Sequence, residues 1–167
     1  NNMLTNNVAG RAGGGVSLQD TVLMTIANNT IANNDSTATT GAAFTAGNPN
    51  QSSPQPAGLV SRAHSQLLFN TIATGSGYKQ EFTQSQFVNN ILWHNRSFYW
   101  KIDGSTDPAT FGLIPNVAAG QLPVYSDVGV LGTSQQGTWP LYTNGSAHRI
   151  IPSYSILTDA TGYSAIY

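Results

Sequence analysis

Four segments of the chain, residues 1–7, 28–34, 69–75 and 89–95, share one pattern. Asn2, Asn29, Asn70 and Asn90 hold its second position, and Leu4, Ile31, Ile72 and Leu92 hold its fourth. The seventh is Asn7, Asn34, Gly75 or Asn95. Three copies carry Ile26, Leu67 or Phe87 two places upstream. Asn and Gly tolerate a left-handed backbone better than other residues, so the seventh position reads as a forced turn. A turn that recurs beside recurring aliphatic residues predicts a solenoid in which each copy is one coil. The function of such a fold lies in its surfaces, ends and inserted loops.

The second-position asparagines are 27, 41 and 20 residues apart. The shortest step suits a bare coil of three short strands, and the longer ones suit coils with insertions. Residues 45–57 lie within the longest step and include Pro49, Pro54 and Pro56 among polar residues, which predicts a loop rather than a buried strand. Segments starting at Gly14, Gly41 and Gly58 read as a second recurring strand, each with glycine at a tight corner. A helical reading fits poorly, because apolar residues recur without a sustained 3.6 period and Asn and Thr are weak helix formers. From residue 103 to about 151 the repeat vanishes and prolines punctuate short apolar runs, which predicts a folded excursion with its own strands. Residues 152–167 then read as a return to the stack.

Charged residues make up 8% of the chain and the net charge is −1, so electrostatic capture of nucleic acid or an anionic membrane is not expected. With 40% hydrophobic and 10% aromatic residues, the composition argues for a folded, β-rich protein over disorder. There is no cysteine, which excludes disulfides, thiolate zinc sites and cysteine nucleophiles. No apolar stretch is long enough to span a membrane. Because the sequence opens inside a repeat copy without an initiator Met, it reads as a piece of something longer.

The run Phe87-Val88-Asn89-Asn90-Ile91-Leu92-Trp93-His94-Asn95, with the later Tyr154-Ser155-Ile156-Leu157, resembles the coils of bacterial right-handed parallel β-helix proteins. These are the pectate-lyase-like repeats of large secreted and surface proteins. His94 stands where that family often has Gly, and Phe69 replaces the first Asn of the motif. The resemblance covers residues 1–102 and about 152–163 and leaves the excursion unmatched. It implies an all-β, right-handed parallel β-helix of about four to five coils, with loop insertions and a C-terminal excursion. In such a stack Asn2, Asn29, Asn70 and Asn90 would form a turn ladder, passing amide hydrogen bonds from coil to coil.

Few residues suggest chemistry. A glycosidase needs two carboxylates facing each other across a groove. Asp20, Asp35, Glu81, Asp103, Asp107, Asp127 and Asp159 show no such pairing in sequence, and Asp103 and Asp107 flank a turn where Asp commonly bonds the backbone. His64, His94 and His148 are too dispersed for a metal motif, and no Gly-x-Ser-x-Gly elbow appears. Neither a cofactor nor a metal is expected. The triplets starting at Asn28, Asn34, Asn50, Asn95 and Asn144 fit Asn-x-Ser/Thr sequons. Trp93, Phe98, Tyr99 and Trp100 form the one candidate interaction patch, which either offers a platform for sugar rings or protein, or covers the joint with the excursion.

The leading expectation is a non-enzymatic structural or adhesive module of a larger extracellular or bacterial cell-surface protein. Its open ends would stack on the rest of a parent chain or on identical subunits, and head-to-tail stacking would propagate into a filament. The alternative is a carbohydrate-binding or polysaccharide-degrading domain, with carboxylates converging near Trp93 and Trp100.

Overall fold

The computed structural model describes residues 1–44, 47–76, 81–84, 86–102, 111–115, 124–134, 137–142 and 150–160, and for 132–134 and 137–142 the backbone alone. The strands are short, because left-handed residues end them. Asn6, Asn28, Asn33, Asn89, His94 and Tyr154 all have φ between 48° and 59°. The first half supplies β1 (Met3–Thr5), β2 (Val8–Ala9), β3 (Val16–Leu18), β4 (Thr25–Ala27), β5 (Thr30–Ala32), β6 (Asp35–Ser36) and β7 (Leu59–Arg62). After helix α1 (Gln66–Thr71) come β8 (Gln86–Val88), β9 (Ile91–Trp93), β10 (Arg96–Lys101), β11 (Gly112–Pro115), β12 (Val128–Ser134), β13 (Gly137–Tyr142), β14 (Pro152–Ser153) and β15 (Ile156–Leu157).

The expected right-handed β-helix of four to five coils is corrected by these pairings. The described residues form four small sheets of three or four strands, ordered β1-β5-β9-β15, β2-β6-β10-β11, β3-β7-β12-β13 and β4-β8-β14. Most pairs are parallel, but β11 joins β10 and β13 joins β12 antiparallel. The fold is all-β, with one six-residue α-helix and a short 3-10 turn at Gly41–Ala43 among the described residues. No helix among them is long and apolar enough to cross a membrane.

Register aligns like with like. Leu4 pairs with Ile31, Ile31 with Leu92 and Leu92 with Leu157, so the fourth-position aliphatics of three copies stack in one column. Ile26 pairs with Phe87 in a neighbouring sheet, and Val16, Leu59 and Val128 line up in a third. Ile31, Phe87 and Leu92 are fully buried in the main core, and each contributes about 2–3 kcal/mol by leaving water. The residues after Gly58 repeat the strand after Gly14, as expected, but Gly41 opens the 3-10 turn instead.

The third copy of the pattern is not a strand. Gln66–Thr71 is helical because Ser65 caps it, its hydroxyl accepting from the Leu68 amide at 3.3 Å, and good helix formers follow. Asn70 faces Gln66 one helical turn away, with their side chains hydrogen-bonded at 2.9 Å, and takes no part in any ladder. Leu67 is exposed where Ile26 and Phe87 are buried. The inserted loop runs back along β10: the Ser52 amide donates to Trp100 O at 2.9 Å, and Pro56 and Ala57 are buried.

Candidate functional site

Two asparagine ladders cross the sheets. In the first, the backbone N–H and the side-chain Nδ2 of Asn2 both donate to Asn29 Oδ1, each at 3.0 Å. Asn29 donates in the same two ways to Asn90 Oδ1, at 2.9 and 3.1 Å. Asn7, Asn34 and Asn95 repeat the arrangement in the second, Asn7 donating to Asn34 Oδ1 and Asn34 to Asn95 Oδ1 at 2.9–3.1 Å. Each inner oxygen therefore accepts two bonds from the preceding member, and every bond points the same way. Asn34, Asn90 and Asn95 are buried, so this saturation is what makes their burial tolerable.

Of the expected turn ladder, Asn2, Asn29 and Asn90 are brought together and Asn70 is not. The second ladder falls on the seventh positions that read as left-handed turns. The left-handed residue is in fact the one before the ladder member: Asn6, Asn33 and His94 before Asn7, Asn34 and Asn95, and Asn28 and Asn89 before Asn29 and Asn90, with Tyr154 likewise before Ser155. That corner turns the following amide and side chain towards the next strand.

The ladders end at β15 and β12. Asn90 donates its backbone N–H to Ser155 Oγ at 3.0 Å, and Ser155 is the residue that register places opposite it. Asn95 instead donates to Asp127 Oδ1, through Nδ2 at 2.7 Å and through its backbone N–H at 3.4 Å. Asp127 Oδ2 accepts from the Thr158 amide at 2.7 Å. Burial pushes the Asp127 carboxyl above its ordinary pKa, against the opposing pull of the hydrogen bonds from Asn95 and Thr158.

Asp127 occupies a position that is glycine in the two preceding strands. Val16 pairs with Leu59 and Leu59 with Val128, which aligns Gly15, Gly58 and Asp127 just before them. A Cβ on Gly15 would lie 3.0 Å from Asn34 Nδ2, and one on Gly58 would lie 2.9 Å from Asn95 Nδ2. Glycine is thus required wherever the next ladder amide packs behind it. Five residues beyond Ser155 the chain carries Ala160, so no further amide follows Asn95 and a side chain can fill the place.

At the other edge the ladders are open. Among the described residues nothing donates to Asn2 Oδ1 or Asn7 Oδ1. Among the described residues each of β1, β2, β3 and β4 ends its sheet there, with Met3 79% and Val8 67% exposed.

The aromatic candidates divide between two strands. Trp93, 42% exposed on β9, stacks on His94, and His94 stacks on Tyr125, with ring centroids 4.7 Å apart in both cases. Phe98, Tyr99 and Trp100 are half-buried on β10, paired with Pro115, Ile114 and Leu113 of β11. The Arg96 guanidinium lies 5.3 Å from the Phe98 ring centre and binds both oxygens of Asp35, at 2.8 and 2.7 Å. Sequence reasoning missed His94, Tyr125 and Arg96 as members of this row. Tyr125 is reached through its bridge to Arg96, a pairing between residues 29 apart that no local pattern announces.

Asp35 and Asp127, the carboxylates near this row, are both engaged, one by Arg96 and the other inside the ladder. Asp20 accepts from the Ser65 amide at 2.6 Å, and its Oδ1 lies 3.7 Å from His64 Nδ1. Burial lowers the His64 pKa, against the opposing pull of Asp20. No group of three or more His, Cys, Asp or Glu among the described residues could hold a metal. Asp103, Asp107 and His148 lie outside the described residues. Two sequons, at Asn34 and Asn95, are buried within the second ladder.

Comparison of the chain with protein-family models, with curated proteins and with solved structures finds no match to any of them. Nothing in these comparisons identifies a β-helix repeat family.

Proposed function

We propose that this protein is a non-enzymatic structural or adhesive module of a larger extracellular or cell-surface protein, assembling through strand-edge pairing. The observation that supports this reading is that, among the described residues, β1 to β4 are each the last strand of their sheet, with Met3 and Val8 exposed on them. Exposed strand edges are templates for pairing with further chain unless they are blunted by charge, proline or a covering segment. No Lys, Arg, Asp or Glu lies in β1, β2, β3 or β4. The nearly neutral surface, rich in Asn, Ser and Thr, suits contact by hydrogen bonding more than by charge.

The competing sugar-directed reading has the Trp93–His94–Tyr125 row in its favour, since aromatic faces receive sugar rings. A glycan array together with a lyase and hydrolase screen separates the two. The structural reading expects neither retention nor turnover. Glycan binding that disappears in Trp93→Ala would overturn it.

A further inference from the structure

We infer that Arg11 and Arg62 form a binding site for a doubly charged tetrahedral oxyanion of the sulfate or phosphate type. The site lies on the outer face of the β3–β7–β12 sheet and is independent of the assembly reading above.

Strand register and one crossing segment bring the two arginines together. Ser17 pairs with Val60 and Arg62 with Leu131, and residues two apart on β7 share a face, so these four lie on one side of the sheet. Residues 11–13 run across that side. Ala12 is buried in one cluster with Val60 and Leu131, and a Cβ on Gly13 would lie 2.5 Å from Val60 Cγ1. The Gly13 amide donates to Pro56 O at 2.8 Å and Ser36 Oγ donates to Arg11 O, which fixes the crossing at both ends. Arg11 is next to Ala12 on the crossing, and Arg62 is next to Val60 and Leu131 on the sheet.

Neither guanidinium has its acceptors. Arg62 Nε donates to Ser17 Oγ at 3.0 Å, and none of the described residues accepts from its terminal nitrogens. Arg11 Nε is buried without a hydrogen-bond partner. Neither arginine pairs with a described carboxylate, whereas Arg96 is held by both oxygens of Asp35. Burial, and then the Arg11 charge, push the Arg62 guanidinium below its ordinary pKa, with no carboxylate acting against them. Two like charges in a partly buried setting, with donors unpaired, are stabilised by an anion between them. Guanidinium forks suit oxyanions, which they bind through two parallel N–H bonds. A single carboxylate would offset one of the two charges, and sulfate or hydrogen phosphate offsets both. Because Arg11 and Arg62 are half-buried and Ser17 is exposed, the site is open on its solvent side.

The test follows the arginine Nε–H resonances of the isotope-labelled full chain by NMR during titration with sodium sulfate, and with sodium acetate at matched ionic strength. Saturable shifts of Arg11 and Arg62 are expected with sulfate, at an affinity at least about tenfold above that for acetate, while Arg96 stays unmoved. Phenyl phosphate in place of sulfate separates the two sources of such a group. Shifts with both point to an ester carried on a larger molecule, and shifts with sulfate alone to a free ion. Arg62→Gln should weaken sulfate binding by at least about tenfold, with unchanged Asn29 and Asn90 amide shifts as the check on folding. Ser17→Ala, which removes only the hydroxyl that orients Arg62, should weaken it less. No saturable shift with sulfate, equal shifts at Arg96, equally tight acetate binding, or undiminished binding by the Arg62→Gln protein would each overturn the inference. All four would leave the structural reading in place.

Discussion

Asn90 and Asn95 hold equivalent places, each the last amide of its ladder, yet one donates to the Ser155 hydroxyl and the other to the Asp127 carboxylate. Ser155 arrives as the next strand would bring it, from the residue opposite Asn90. Asp127 belongs to a different sheet and reaches in from the position that Gly15 and Gly58 hold in earlier strands. A ladder can thus be finished from ahead by a residue in register, or from the side by a carboxylate standing in for the missing amide oxygen. The lateral route is available only where no following amide needs the space.

The difference between the two endings can be broken most forcefully at Asn95. Asn95→Ala removes the side-chain donor to Asp127, leaving it only the longer backbone N–H, and removes the acceptor for both Asn34 donors, all in a buried setting, and should cost about 3 kcal/mol or more in urea unfolding. Asn90→Ala strands the Asn29 donors but leaves no carboxylate behind, so about 2 kcal/mol is expected. Equal losses would mean that the carboxylate ending has no special weight.

Gly58→Ala probes why that ending sits where it does. The added methyl would lie 2.4 Å from the Asp127 carbonyl oxygen and 2.9 Å from Asn95 Nδ2, so overpacking should cost about 2 kcal/mol. A neutral result would show that the glycine is not a packing requirement of the ladder.

Acidity offers a gentler probe of Asp127 itself. Its folded carboxyl binds a proton more readily than the unfolded one, because burial raises its pKa. Stability from this group is therefore flat at the lowest pH and falls as pH rises from the ordinary carboxylate value through the raised one. Asp127→Asn has no such window, and it exchanges the acceptor facing the Thr158 amide for a donor, which should cost about 1 kcal/mol in acid. The stability gap between wild type and variant, measured by thermal unfolding across the acidic range, should narrow as pH rises. A gap that widened would show that the hydrogen bonds, not burial, dominate the carboxyl.

Asn70→Ala should have the smallest effect, within about 0.5 kcal/mol, because Asn70 sits on a helix outside both ladders and Ala favours helix. A loss matching Asn90→Ala would restore it to the ladder.

Part of this arrangement was legible beforehand. Asn2, Asn29 and Asn90 stand out as one ladder because each lies two residues before a stacked aliphatic, Leu4, Ile31 or Leu92. Asn70 imitates them with Ile72, but the local run Ser65-Gln66-Leu67-Leu68 favours a capped helix, and a local signal of that kind outweighs a matching spacing. The seventh-position asparagines were visible as turn residues, yet their role as ladder members was not, because φ places the left-handed corner one residue earlier. Among the patch residues, Trp93 was seen and Tyr125 was not, since only the bridge to Arg96 brings it near.

By itself, the sequence determined where strands stop and which apolar residues alternate with them. Left-handed tolerance and side-chain shape are properties of single residues and their immediate neighbours. Which asparagine meets which, and what closes each ladder, was decided by tertiary structure alone. Those hydrogen bonds join residues 27, 32, 61 and 65 apart, and a bond between distant amides exists only once strand register has brought them within 3 Å or so.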